Sequence, residues 1–162
     1  MRVTIRPARP DDAATVLAMV LALATYEREP DKVKMTEAGC RAALEAGHVN
    51  ALLGFAEDRP VAMALYFFNF SSWTGKRGLF LEDLFVAPDM RGQGLGADLL
   101  KRLAAMAVAM DCGRMEWNVL DWNSSAKGFY AMLGARVAQG WETWRLEGDA
   151  LTTLGTPAGE AG

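Results

Sequence analysis

An α+β fold, mixed α/β around one central sheet, is predicted by three observations. The first half of the chain carries two short helical stretches and several strand-like segments joined by tight turns, and such segments pair antiparallel. From Leu79 to Met110 the chain reads as strand, glycine-rich loop and helix, and another strand follows at Gly113. A crossover helix of that kind makes the strands on either side of it parallel neighbours. No repeat and no linker interrupts the 162 residues, a length suited to one domain with a real core. The domain is expected over 1–151. The small, polar segment 152–162 is expected to be a disordered tail.

The elements follow in order. Arg2 to Arg6 alternates polar and apolar around Val3 and Ile5, a short first strand. Asp11 or Asp12 can cap a helix running through Val16, Leu17, Val20 and Leu23, and Pro30 ends that region. Thr36 caps a second, short helix that stops at Gly47. Val49 to Ala56 is strand-like, Glu57 to Pro60 is a turn, and Val61 to Phe70 pairs back as a strand rich in aromatics. A loop over 71–78 contains Trp73 and Gly75. The central strand Leu79–Val86 leads through the glycine loop to a helix over about 95–110. A strand over Arg114–Leu120, a helix over Ala126–Leu133 and a C-cap at Gly134 come next. Two last strands are expected near Ala135–Ala138 and Glu142–Leu146.

Composition narrows the chemistry. A formal charge of −3 gives no signal for polyanion binding, so nucleic acid is not an expected partner. No run approaches the length of a membrane span, and the N-terminal residues lack a secretory apolar region. Cys40 and Cys112 form no CxxC pair and accompany a single histidine, His48. Zinc sites, a Cys/His nucleophile and a disulfide framework are poorly supported, and a reduced cytoplasmic setting is expected. His48 follows Gly47 at a helix end, where a structural role is common. Acid–base chemistry must then come from carboxylates, tyrosine, cysteine or water.

The segment 81–96 is the most informative. An apolar strand carrying Glu82 and Asp83 runs into a turn at Pro88, then Arg91 and Gly92, Gly94 and Gly96, then a helix. Glycines at a helix start leave several backbone N–H groups unobstructed at the positive end of the dipole, which suits a phosphate or diphosphate. A Walker A loop would need a lysine after Gly96, which is absent. A dinucleotide fingerprint fits the spacing only loosely and the antiparallel start badly. A tight turn that binds nothing is the third reading.

Residues 91–97 resemble the acyl-CoA diphosphate loop of the GNAT N-acetyltransferase superfamily, with its [RQ]-x-x-G-x-[GA] pattern. The resemblance is closest to the diamine (spermidine/spermine) and thialysine N-acetyltransferase branch. Tyr26–Glu27, Trp73 with Gly75–Lys76, Leu81–Val86, Asp121–Trp122–Asn123, Phe129–Tyr130 with Gly134–Ala135, and Gly140–Trp141 recur there in this order. It covers about residues 2 to 151. It implies a GNAT-like domain: a mostly antiparallel twisted sheet of about seven strands, a parallel pair at the cofactor site, and about four flanking helices.

The resemblance also implies acetyl-CoA as co-substrate, a small-molecule amine as acceptor, no metal, no membrane, and a homodimer. The pantetheine arm would add along Leu84, Phe85 and Val86. The diphosphate would rest on Arg91, Gly92, Gln93, Gly94, Leu95, Gly96 and Ala97, with Asn123, Ser125, Ala126 and Tyr130 bordering the arm. Tyr130 would be the general acid and Glu82 the substrate-side carboxylate that accepts the amine proton. Tyr26, Glu27, Asp83 and Trp73 would be further substrate contacts. The chemistry needs such groups, because an amine arrives protonated and must lose a proton before it attacks a thioester.

In a regular strand Asp83 faces away from Glu82, so only one of the pair can meet the amine unless a bulge intervenes. Packing roles compete for Tyr130 beside Phe129, for Trp73 and for Trp117, Trp122 and Trp141, and a solvated position at a helix end competes for Glu27. Polyamine-specific relatives carry an acidic pair before the glycine that matches Gly140, where this chain has Ala138–Gln139. Acetylation of a protein or peptide amine, and a catalytically silent acyl-CoA sensor, are the alternative functions.

Overall fold

A computed structural model describes residues 2–157. The chain divides into two compact units, Met1–Asn118 and Val119–Gly162.

The first unit holds one sheet in the order β1-β2-β3-β4-β5, formed by Val3–Pro7, Asn50–Ala56, Arg59–Ser71, Lys76–Val86 and Arg114–Trp117. The first three pairings are antiparallel and β4–β5 is parallel, as the crossover predicts. Helices α1 (Ala13–Tyr26) and α2 (Glu37–Glu45) follow β1, and α3 (Leu95–Ala109) is the crossover.

The sheet is buried on both faces. Ala13, Val16 and Met19 of α1 and Cys40 of α2 form one core with Leu53, Met63, Leu65 and Phe85. Ala62, Ala64, Leu79 and Leu81 are buried on the other face, where α3 packs on β3 and β4 through Leu95, Leu99, Leu100 and Leu103. Each such leucine stabilises the fold by about 1.5–3 kcal/mol when taken fully out of water.

Local signals explain the helix limits. Thr36 accepts a hydrogen bond from the Gly39 N–H at 3.1 Å and starts α2, as expected. Asp12 stands just before α1, yet its carboxylate does not cap that helix. It accepts from Arg6 Nη1 at 2.8 Å and Nη2 at 2.9 Å, and from the Arg9 N–H at 2.7 Å, tying α1 to β1. Asp11 instead pairs with Arg41 at 2.6 Å. A bidentate arginine outcompetes the weaker capping geometry.

The second unit contains α4 (Ser124–Met132) and α5 (Gly148–Gly155). Asn123 accepts from the Ala126 N–H at 3.1 Å and begins α4. Gly134 ends it in the left-handed region at φ +90°, with the Gly134 N–H bonding Ala131 O and the Ala135 N–H bonding Tyr130 O.

Two expectations need correction here. Ala135–Ala138 and Glu142–Leu146 form no strand, so the described sheet has five strands rather than about seven. Their alternating pattern lacks the half-buried surface that β-propensity measures: Val137 is 77% exposed and Trp144 89%. Thr152–Gly155, expected in the tail, lies inside α5, while 158–162 fall outside the described residues.

Candidate active site

Strand β4 is the spine of the site, and its register is irregular. Tyr66 pairs with Leu81 and Leu65 with Asp83, so Glu82 is an extra residue on β4, a β-bulge. The alternation shifts by one at that point. Leu79 and Leu81 stay on the α3 face, whereas Asp83 joins Leu65 and Phe85 on the α1 face. Glu82, following Leu81, falls on the α1 side too, so both carboxylates serve one face. Glu82 is exposed and Asp83 half-buried.

The bulge also marks the point where β5 leaves β4. Parallel pairing runs from Gly78–Arg114 to Leu81–Trp117 and ends there. From Glu82 to Val86, through Leu84 and Phe85, β4 has only β3 as a ladder partner among the described residues. Its other edge presents backbone groups to whatever extended chain can pair with them.

Past Val86 the loop is braced rather than loose. A 3-10 turn spans Pro88–Met90, and Asp89 pairs with Arg59 at 2.7 Å. Gln93 Nε2 reaches Asp89 O at 3.4 Å. Gly92 and Gly94 adopt φ +76° and +81°, which a side-chain-bearing residue adopts only with strain. The first i→i−4 bond of α3 runs from the Asp98 N–H to Gly94 O at 3.0 Å. The N–H groups of Leu95, Gly96 and Ala97 precede it and point out of the helix start. Arg91 donates from Nε to Val86 O at 3.0 Å, and its Cζ lies 4.9 Å from the centroid of the Tyr26 ring.

Tyr26 is the last residue of α1, so Glu27 comes to the same place. Burial pushes the Asp83 carboxyl up to about 6, and the charges of Glu82 and Glu27 add to it. Burial raises Glu27 as well, with Glu29 contributing. A half-buried carboxyl whose ionisation is disfavoured by burial and by neighbouring negative charge marks a site where a cation is welcome, and where a base is poised near neutral pH.

The structure thus gathers Tyr26, Glu27, Glu82, Asp83, Arg91 and the glycine loop in the first unit. Trp73 is not among them: it is 85% exposed on the β3–β4 connection. That connection ends where β4 starts at Lys76, about 20 Å of strand from Glu82. In the second unit, Asn123, Ser125, Ala126 and Tyr130 lie at the start and along α4. Tyr130 is half-buried with its ring 5.4 Å from that of Phe129. Among the described residues no group of three or more His, Cys, Asp and Glu could hold a metal ion, and no helix is long and apolar enough to cross a membrane.

Sequence reasoning ranked Asp83 behind Glu82 and gave Tyr26 to the substrate. A bulge enters the sequence reading only as a condition, and the Arg91 contact does not enter it. An adjacent acidic pair inside an apolar strand was the one available signal for the bulge.

The chain belongs to the acetyltransferase (GNAT) family, whose model matches residues 17–135 and so spans both units. It is an acyltransferase of the amine-acetylating kind. The thialysine N-epsilon-acetyltransferase of Sus scrofa is 38% identical over 94% of this chain and 96% of its own length. That of Bos taurus is 36% identical over the same shares. A solved integron cassette protein from the mobile metagenome of V. cholerae superposes with a TM-score of 0.79 at 26% identity, covering 95% of this chain and 98% of its own.

Proposed function

We propose that this chain transfers an acetyl group from acetyl-CoA to a primary amine of a small diamine, polyamine or thialysine-like substrate, by direct attack in a ternary complex. The observation that carries this reading is the bulge at Glu82. It places two carboxylates on one face of the strand whose open edge and following helix start suit an acyl-CoA. Acetyl-CoA supplies the activated thioester. The donor set fits it: successive N–H groups and Arg91 for a diphosphate, and an unpaired strand edge for an amide-bearing arm.

The residues then divide the work. Glu27 and Glu82 attract the ammonium groups of the acceptor, and the thialysine acetyltransferase relatives support an acceptor with a second charge. Asp83 takes the attacking amine's proton, since its raised carboxyl is a stronger base than an ordinary aspartate. Backbone N–H groups of the open β4 edge can hold the developing oxyanion. Tyr130 donates its hydroxyl proton toward the departing sulfur, as the resemblance implies. A homodimer in a cytoplasmic setting belongs to the same reading.

The test is release of free thiol from acetyl-CoA with a panel of diamines, polyamines and lysine analogues, with the product identified by mass. Turnover with a dibasic acceptor is expected, and its absence across the whole panel would refute the proposal. Tyr130→Phe should lower kcat by about 10- to 10³-fold with cofactor affinity little changed. Unchanged kcat would remove Tyr130 from the reaction.

A further inference from the structure

We infer that Tyr26 is a positioning residue for the cofactor rather than a contact of the amine: its ring is the platform that holds the Arg91 guanidinium ready for the diphosphate. This rests on the reading of residues 91–97 as the diphosphate loop.

An exposed arginine has many rotamers, and the entropy of fixing it is charged against any anion it binds. Arg91 is fixed beforehand by two contacts. Its Nε donates to Val86 O at 3.0 Å, which sets one edge of the guanidinium plane. The Tyr26 ring lies 4.9 Å from Cζ and supports the cation on its negative face. Among the described residues neither Nη group makes a hydrogen bond, so both can meet phosphate oxygens, the fork geometry for which arginine is suited.

The platform is itself anchored. Tyr26 closes α1, and the chain beyond it winds tightly: the Glu27 N–H bonds Leu23 O at 2.9 Å, and the Glu29 N–H bonds Ala24 O at 2.9 Å. Arg28 takes the left-handed φ of +68° that this winding needs. Neighbouring Glu27 contributes charge to the Asp83 site. One short segment thus meets the cofactor loop through Tyr26 and adds negative charge beside Asp83 through Glu27.

The experiment compares acetyl-CoA with S-acetylpantetheine, a thioester that lacks the diphosphate, by calorimetry on wild type, Tyr26→Phe and Tyr26→Leu. Tyr26→Leu is expected to weaken acetyl-CoA binding by about 3- to 10-fold, the size of one lost cation–π contact, and to leave S-acetylpantetheine unchanged. Tyr26→Phe, which keeps the ring, should stay within about twofold of wild type for both. In an Arg91→Ala background the effect of Tyr26→Leu should vanish, because the platform then supports nothing. The inference is overturned if Tyr26→Leu keeps the full acetyl-CoA advantage, if it weakens both thioesters alike, or if either variant instead raises the amine KM at saturating acetyl-CoA. The underlying loop assignment fails separately, if wild type itself binds the two thioesters equally.

Discussion

Replacing Asp83 by asparagine is expected to lower kcat/KM by about 10²- to 10³-fold at neutral pH, with the protein still folded and still binding acetyl-CoA. The wild-type rate should fall as pH drops through about 6, where Asp83 takes up a proton and ceases to be a base. The variant should lack that limb. Stability should move the opposite way. The folded carboxyl titrates near 6, above its ordinary value of 3.8, so between those values the native state keeps a proton that the unfolded chain has released. The stability this group contributes is therefore full below the unfolded value and lost as pH rises through about 6. The difference in Tm between Asp83→Asn and wild type should accordingly favour the variant at pH ~8 and shrink toward pH ~4. An active variant with an unchanged pH profile would pass the role to Glu82.

The second large effect is expected from Ala97→Glu. Ala97 is the third residue of α3, and a carboxylate in a helix's first turn is favourable to the helix. The fold should therefore hold or gain slightly by thermal melting. The same carboxylate would occupy the N–H groups that a diphosphate needs and would repel it at contact distance. Acetyl-CoA affinity should drop by about 10²-fold or more, which is a few kcal/mol of lost charge-assisted bonding. Affinity within a few-fold of wild type would mean that the helix start does not hold the diphosphate. Measured together, the two variants separate the reaction from cofactor capture, since one spares binding and the other removes it.

Much of the fold was legible because local signals agreed with the tertiary structure. Thr36, Gly94 and Gly134 mark helix ends through chemistry confined to a few residues, and the central strand, loop and α3 follow each other with no choice of partner. What could not be read depends on partners distant in sequence. The bulge at Glu82 exists only in the pairing of β4 with β3, because strand alternation read along one segment has no access to register. That single inserted residue turned Asp83 from the far face to the shared one. Asp12 read as a helix cap until Arg6 and Arg9 took its oxygens. The contact between Tyr26 and Arg91 joins residues far apart in the chain. The alternating segments after Gly134 matched a strand pattern, yet they have no ladder to join among the described residues.

The most direct measurement is a crystal structure of the protein with bound CoA. The diphosphate should lie on the N–H groups of residues 92–97 with Arg91 beside it, the pantetheine arm should pair with β4 from Leu84 to Val86, and the sulfur should end next to Glu82 and Asp83. A diphosphate bound elsewhere, or a sulfur remote from both carboxylates, would contradict the account.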